Sequence, residues 1–188
     1  MKQIYIIALL LVGLMASCKS DKKDTAEENK RMFQLESVDE HSGLQRMQVS
    51  RINQTIECKG KKFQLTVERK PDESLPHVKS DMGQFVDNSI SVKITRENGT
   101  TLFEKKFTKN DFAIHLPNKY LTRSVLEGLV FDDVRTTEKK EITLAASVSY
   151  PMTDLYTPFT IIISDAGKMT ITPYEDEIEY DPLESNEN

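Results

Sequence analysis

The sequence predicts an all-β protein: about eight antiparallel strands, mostly joined in sequence order as a meander, closing into a barrel with one or two short helices. Three observations carry this. Polar and apolar residues alternate through Lys62–Glu68, Ser89–Thr95 and Ile142–Tyr150, the period-two signature of strands with one buried face. Short turn signals, Lys59-Gly60, Asn98-Gly99 and Asp165-Ala166-Gly167, separate neighbouring runs as hairpins. An even number of sequential hairpins suits an up-and-down barrel, whose closure removes exposed edges. A two-sheet β-sandwich is the alternative, because period-two patterning is the same in both.

The chain opens on a different kind of segment. Lys2 precedes an apolar run, Ile4–Ala16, that ends in small residues at Ala16-Ser17. This is the order of a secretory signal: cationic start, short apolar core, small residues at the cut. The run spans about 13 residues, short of the roughly 20 that cross a bilayer. Cys18 follows directly, and Leu14-Met15-Ala16-Ser17-Cys18 resembles a bacterial lipobox, in which the cysteine is lipidated and becomes the first mature residue. Residues 1–17 are therefore read as a lipoprotein signal peptide and Cys18 as the lipidation site. Residues 18–40 are a charged tether: Lys19–Lys30 has almost no apolar content and cannot bury a core. Residues 41–175 form the barrel domain, and 176–188 an acidic tail.

Composition bounds the rest. The mature chain of about 170 residues is the size of one domain. The 188-residue sequence is 38% apolar with no Trp, enough for one core. A formal charge of −5 argues against nucleic acid and anionic lipid surfaces as partners. There are two cysteines, so lipid on Cys18 leaves Cys58 without an intramolecular partner. Cys58 lies in phase with Ile52 and Ile56, as a small buried hydrophobe would.

The strands follow in order. Ile52–Cys58 and Lys62–Glu68 form a hairpin about Lys59-Gly60. Lys70–Gly83 is a long loop, broken by Pro71, Pro76 and Gly83, and loops of this length are often functional. Ser89–Thr95 and Leu102–Phe107 pair about Asn98-Gly99, where both central residues are expected at positive φ. Thr108 is placed to cap a short helix, with Asp111 three residues on and Phe107 stapled to Phe112. Asn118–Val125 is a second short turn or helix. Gly128–Phe131 ends at the turn acids Asp132-Asp133, Ile142–Tyr150 alternates clearly, and Phe159–Ile163 with Met169–Ile171 makes the last hairpin.

Several segments together carry a resemblance: Glu68–Pro76, Gly83–Asn88, Phe107–Phe112, Leu126–Asp132 and Ala145–Ser149. Over about Met47–Ile171 the chain resembles a domain-of-unknown-function family of Bacteroidetes lipoproteins. The resemblance implies a lipocalin-like β-barrel and a Gram-negative cell envelope. It implies no activity and no site residues. In that setting Asp24-Thr25-Ala26 matches a loose O-glycosylation sequon, making Thr25 a candidate glycosylation site on an exposed segment. Lys19, Lys22 and Lys23 interrupt the acids after Cys18, which favours the periplasmic face of the outer membrane over the cell surface.

The residues offer little catalytic chemistry. His41, His77 and His115 are scattered, without the three or four donors a zinc site needs. Asp132-Asp133 reads as turn acids, and the acidic residues after Glu175 lack a glycine-bent loop to converge their oxygens on calcium. No nucleophile elbow, phosphate-binding loop or dinucleotide fingerprint occurs. No catalytic residue, metal site or cofactor is assigned. The candidate contact residues are Pro71, Asp72, Glu73, Leu75, Pro76 and His77, in the long loop. The expected function is a non-enzymatic envelope interaction or adaptor module, tethered to the membrane through its N-terminal lipid beside an envelope protein partner. The alternative is a barrel binding a small apolar or amphipathic ligand, with Val92, Leu144, Val148 and Ile161 around the cavity.

Overall fold

The computed structural model describes residues 35–174. The signal segment, Cys18, Thr25, most of the tether and the acidic tail lie outside them. The described strands are β1 (Leu35–Val38), β2 (Leu44–Met47), β3 (Ser50–Cys58), β4 (Lys61–Pro71), β5 (Val78–Ser80), β6 (Gly83–Phe85), β7 (Asn88–Arg96), β8 (Thr101–Phe107), β9 (Val125–Phe131), β10 (Ile142–Ser149), β11 (Tyr156–Ile163) and β12 (Met169–Pro173). A 3-10 helix (Lys109–His115), α1 (Asn118–Arg123) and α2 (Asp133–Lys139) complete the fold.

The hairpins form where alternation predicts them. Burial in β4 alternates from Phe63 through Leu65 to Val67, inward residues separated by exposed ones. Cys58 pairs with Lys61, leaving a two-residue loop in which Lys59 and Gly60 both take positive φ (53° and 70°), as a type I′ turn requires. The Asn98-Gly99 turn differs from expectation. Only Gly99 has positive φ (82°), Gly99 N–H donates to Arg96 C=O at 2.9 Å, and Arg96 N–H to Thr100 C=O at 2.8 Å. This is a longer loop with glycine in the left-handed position, and the register shifts beside it at Ile94/Thr95.

The strands fall into three four-stranded sheets, ordered β3-β4-β7-β8, β12-β11-β10-β9 and β1-β2-β6-β5. This corrects the expected barrel of eight strands: no described sheet closes on itself. Side chains at the ends of the inner strands β4 and β7 reach the free edge of β9. Asp87 Oδ1 accepts the N–H of Leu126 on β9 at 3.0 Å, and Asn88 Nδ2 donates to the C=O of the same residue at 3.0 Å. Arg69 Nη1 donates to Glu127 C=O at 2.6 Å. Backbone groups that would otherwise need a neighbouring strand are thereby satisfied. The two larger sheets share one core, a sandwich-like arrangement. Val92, Leu144, Val148 and Ile161 are at most 1% exposed within it. Aromatic rings fill the interior, with Phe107, Phe112 and Phe159 in series at 6.4 and 4.9 Å between centroids.

Three further differences have local causes. The stretch Lys70–Gly83, expected to be an irregular loop, contains β5 and runs into β6, because Val78 and Phe85 pair and bury in a second small core with Met47, Val125 and Met152. Residues after Asp132 form a helix where a turn was expected: Asp132 accepts Arg135 N–H at 2.9 Å as N-cap, and Lys140 ends the helix at φ 58°. That helix covers the outer face of β10, where Thr143 N–H donates to Thr136 Oγ1 at 2.9 Å, so burial there is two-sided. Strand β1 also falls within the span read as tether. The expected capping of the 3-10 helix is present: Thr108 N–H donates to Asp111 Oδ2 at 2.8 Å.

Candidate functional site

The segment following β4 carries the contact residues expected from sequence, and each of its acids is tied to a different element. Asp72 Oδ1 accepts the N–H of Ser74 at 3.1 Å and its hydroxyl at 2.5 Å, while Oδ2 meets the Lys106 ammonium of β8 at 2.6 Å. Lys106, first, and then Ser74 hold the Asp72 carboxyl well below the usual carboxylate range. Glu73 pairs with Arg46 of β2 at 2.8 Å and lies 3.7 Å from His77 Nε2. Asp81 pairs with Arg123 of α1 at 2.7 Å. Pro71 closes β4, and Asp72 N–H donates to Asp87 C=O at 2.9 Å. Leu75 N–H turns back onto Asp72 C=O at 3.0 Å, leaving Leu75 part-buried beside exposed Pro76 and His77. Met82, in the β5–β6 turn, is 47% exposed. The segment is thus a surface feature tied near both ends.

Beneath it lies a polar seam that the sequence reading did not single out. Asp87 and Lys109 form an ion pair at 3.2 Å with their side chains 2% and 12% exposed. Lys109 Nζ also donates to Ser124 C=O at 2.8 Å. Burial raises the Asp87 carboxyl, against the opposing pull of Lys109 and of the Leu126 and Asn88 amides. Arg69 Nη2 reaches Gln48 C=O at 3.1 Å, and the Ser149 hydroxyl donates to Glu127 Oε2. Asp87 sits between apolar Val86 and a strand that reads as buried, which marks it as an inward acid. Its partner lies 22 positions on, and no local pattern joins them.

Chemically, the seam is a lock. Its charges are matched, its carboxylate is saturated by donors, and the Ser149–Glu127 pair has no imidazole within its hydrogen bonds to move a proton. The histidines do not converge: His77 lies beside Glu73, and His115 packs against the Phe159 ring at 6.0 Å. Among the described residues, no group of three His, Cys, Asp or Glu is placed to hold a metal ion. Cys58 is buried in the main core, and burial pushes its thiol up. No helix among the described residues is long and apolar enough to cross a membrane.

The opposite end of β4 carries a separate cleft of about 340 Å³, between the β3–β4, β7–β8 and β11–β12 turns.

A family model described as a domain of unknown function (DUF4738) matches residues 28–171. No curated protein matches the chain.

Proposed function

Since the chain belongs to the DUF4738 family, whose description carries no activity, we propose from its own residues that it is a non-enzymatic interaction or adaptor module of the cell envelope. The lipobox-like segment supports an anchor: lipid on Cys18 would hold the folded domain at the outer membrane of a Gram-negative bacterium, on its periplasmic face. The observation that carries the interaction reading is the pinned segment from Pro71 to Gly83. Three ion pairs, to β2, β8 and α1, fix it, and Leu75, Pro76, His77 and Met82 lie along it. A preorganised surface loses little entropy on binding, which favours recognition by a partner protein. The packed interior supports the same reading over the small-ligand alternative, because the four residues expected around a cavity lie in one filled core.

A photo-crosslinking residue at position 82 of the full-length lipoprotein, in its own envelope, tests this. The expected result is one discrete adduct with an envelope protein, lost on Pro76→Glu and absent when the probe sits at Thr55 on the polar outer face of β3. Equal labelling from both positions would overturn it.

A further inference from the structure

We infer that the cleft at the turn end of the sandwich binds a small ligand carrying a phosphate or sulfate group, held by Lys61, Lys62 and Arg96. This site lies at the end of β4 away from the pinned segment and does not depend on the adaptor reading. The cleft measures about 340 Å³ and is lined by Lys61, Lys62, Phe63, Arg96, Glu97, Asn98 and Asp165. That volume lies within the range of small-molecule sites.

The electrostatics are set against the rest of the molecule. The chain is acidic overall, yet in this one space three cations outnumber the two carboxylates, Glu97 and Asp165. Arg96 is fixed rather than floppy: Nη1 donates to Thr101 C=O at 3.4 Å and Nη2 to Asp165 C=O at 3.2 Å. Lys61 and Lys62 have no ion-pair partner among the described residues. The wall opposite them is held in place, because the β11–β12 turn packs Gly167 directly against the backbone of Leu102. One of the two carboxylates is already paired. Asp165 Oδ2 takes the Lys59 ammonium at 2.9 Å, and Lys59 first, then Lys61 and Arg96, hold its carboxyl below the usual range. The Asp165 carboxylate is an internal competitor for the site an incoming oxyanion would fill, and its removal leaves Lys59 as a fourth cation. Charge-assisted contacts are shorter and stronger than neutral ones, which favours a ligand with several anionic oxygens.

Inorganic pyrophosphate is the probe, titrated into the full-length chain by calorimetry and by amide chemical shift at low salt. Binding is expected to saturate, with shifts confined to the three turns. Lys61→Ala with Lys62→Ala should weaken it about tenfold, two lost contacts of about 0.7 kcal/mol each. Asp165→Asn should tighten it several-fold, and Lys119→Ala, the loss of one charge far away on α1, should leave it unchanged. All these side chains are exposed, so circular dichroism checks that folding is retained. Three outcomes would each overturn the inference: equal weakening by Lys119→Ala, no tightening in Asp165→Asn, or binding seen only with vesicles containing a fifth anionic phospholipid.

Discussion

Lys109→Met probes the buried seam at the edge of β9. In the native protein the Asp87 carboxylate is buried, and it faces the Lys109 ammonium at 3.2 Å while accepting the Leu126 and Asn88 amides at 3.0 and 2.8 Å. Methionine keeps the length and apolar stem of the side chain but leaves Asp87 with two amides and no counter-charge. Breaking a buried pair from one side costs about 3–5 kcal/mol. For a domain of this size each kcal/mol moves the midpoint by about 4 °C, so Tm should fall by roughly 12–20 °C. Thermal unfolding followed by circular dichroism measures it. The pH dependence has a definite sign. Burial raises the folded-state value of Asp87 above its unfolded value, so this group favours folding most below the unfolded value and loses that contribution as pH rises through the folded one. The Lys109→Met penalty should therefore shrink on acidification. Adding Asp87→Asn, which keeps an acceptor for Leu126 N–H, should restore more than half of the loss. A penalty under about 1 kcal/mol, or a double variant as unstable as the sum of its parts, would refute the lock.

Other expectations follow from single contacts. The Asp72 carboxyl is held low by Lys106 and Ser74, so its stabilisation is present above about pH 4 and is lost as pH falls below that towards the folded-state value; Asp72→Asn should flatten the acid limb of the stability curve. Gly167→Ala should cost more than Gly99→Ala in urea unfolding. Both have positive φ, worth about 1–2 kcal/mol, but only the Gly167 Cβ would strike the Leu102 carbonyl. Cys58 should resist an aromatic disulfide reagent in the native state at pH 8 and react fully in denaturant; rapid native labelling would contradict its burial.

Local pattern and long-range arrangement were unequally legible. Alternation located β3, β4, β7 and β10 because each keeps one face in the shared core, and the Asp165–Gly167 turn located β11 and β12. It could not say how the two larger sheets meet, since that depends on Asp87, Asn88 and Arg69 meeting β9 across 38 to 58 positions. Strands β5 and β6 have three residues each, too short for a period to show, and their burial depends on Met47 and Met152 from distant elements. Helix α2 had a readable N-cap in Asp132, but the turn preference of paired acids outweighed it in the sequence. Of the contact segment, the position was legible from its prolines and length. Its anchoring was not, because Arg46, Lys106 and Arg123 come from three separate elements.

The most direct test of the interaction-module proposal is native mass spectrometry of the full-length protein gently extracted from the membranes of its own cells. A co-purifying protein at fixed stoichiometry, released by Met82→Glu with Pro76→Glu, is the expected result. A bare monomer carrying only lipid mass on Cys18, or a bound apolar compound of a few hundred daltons without a protein partner, would contradict it.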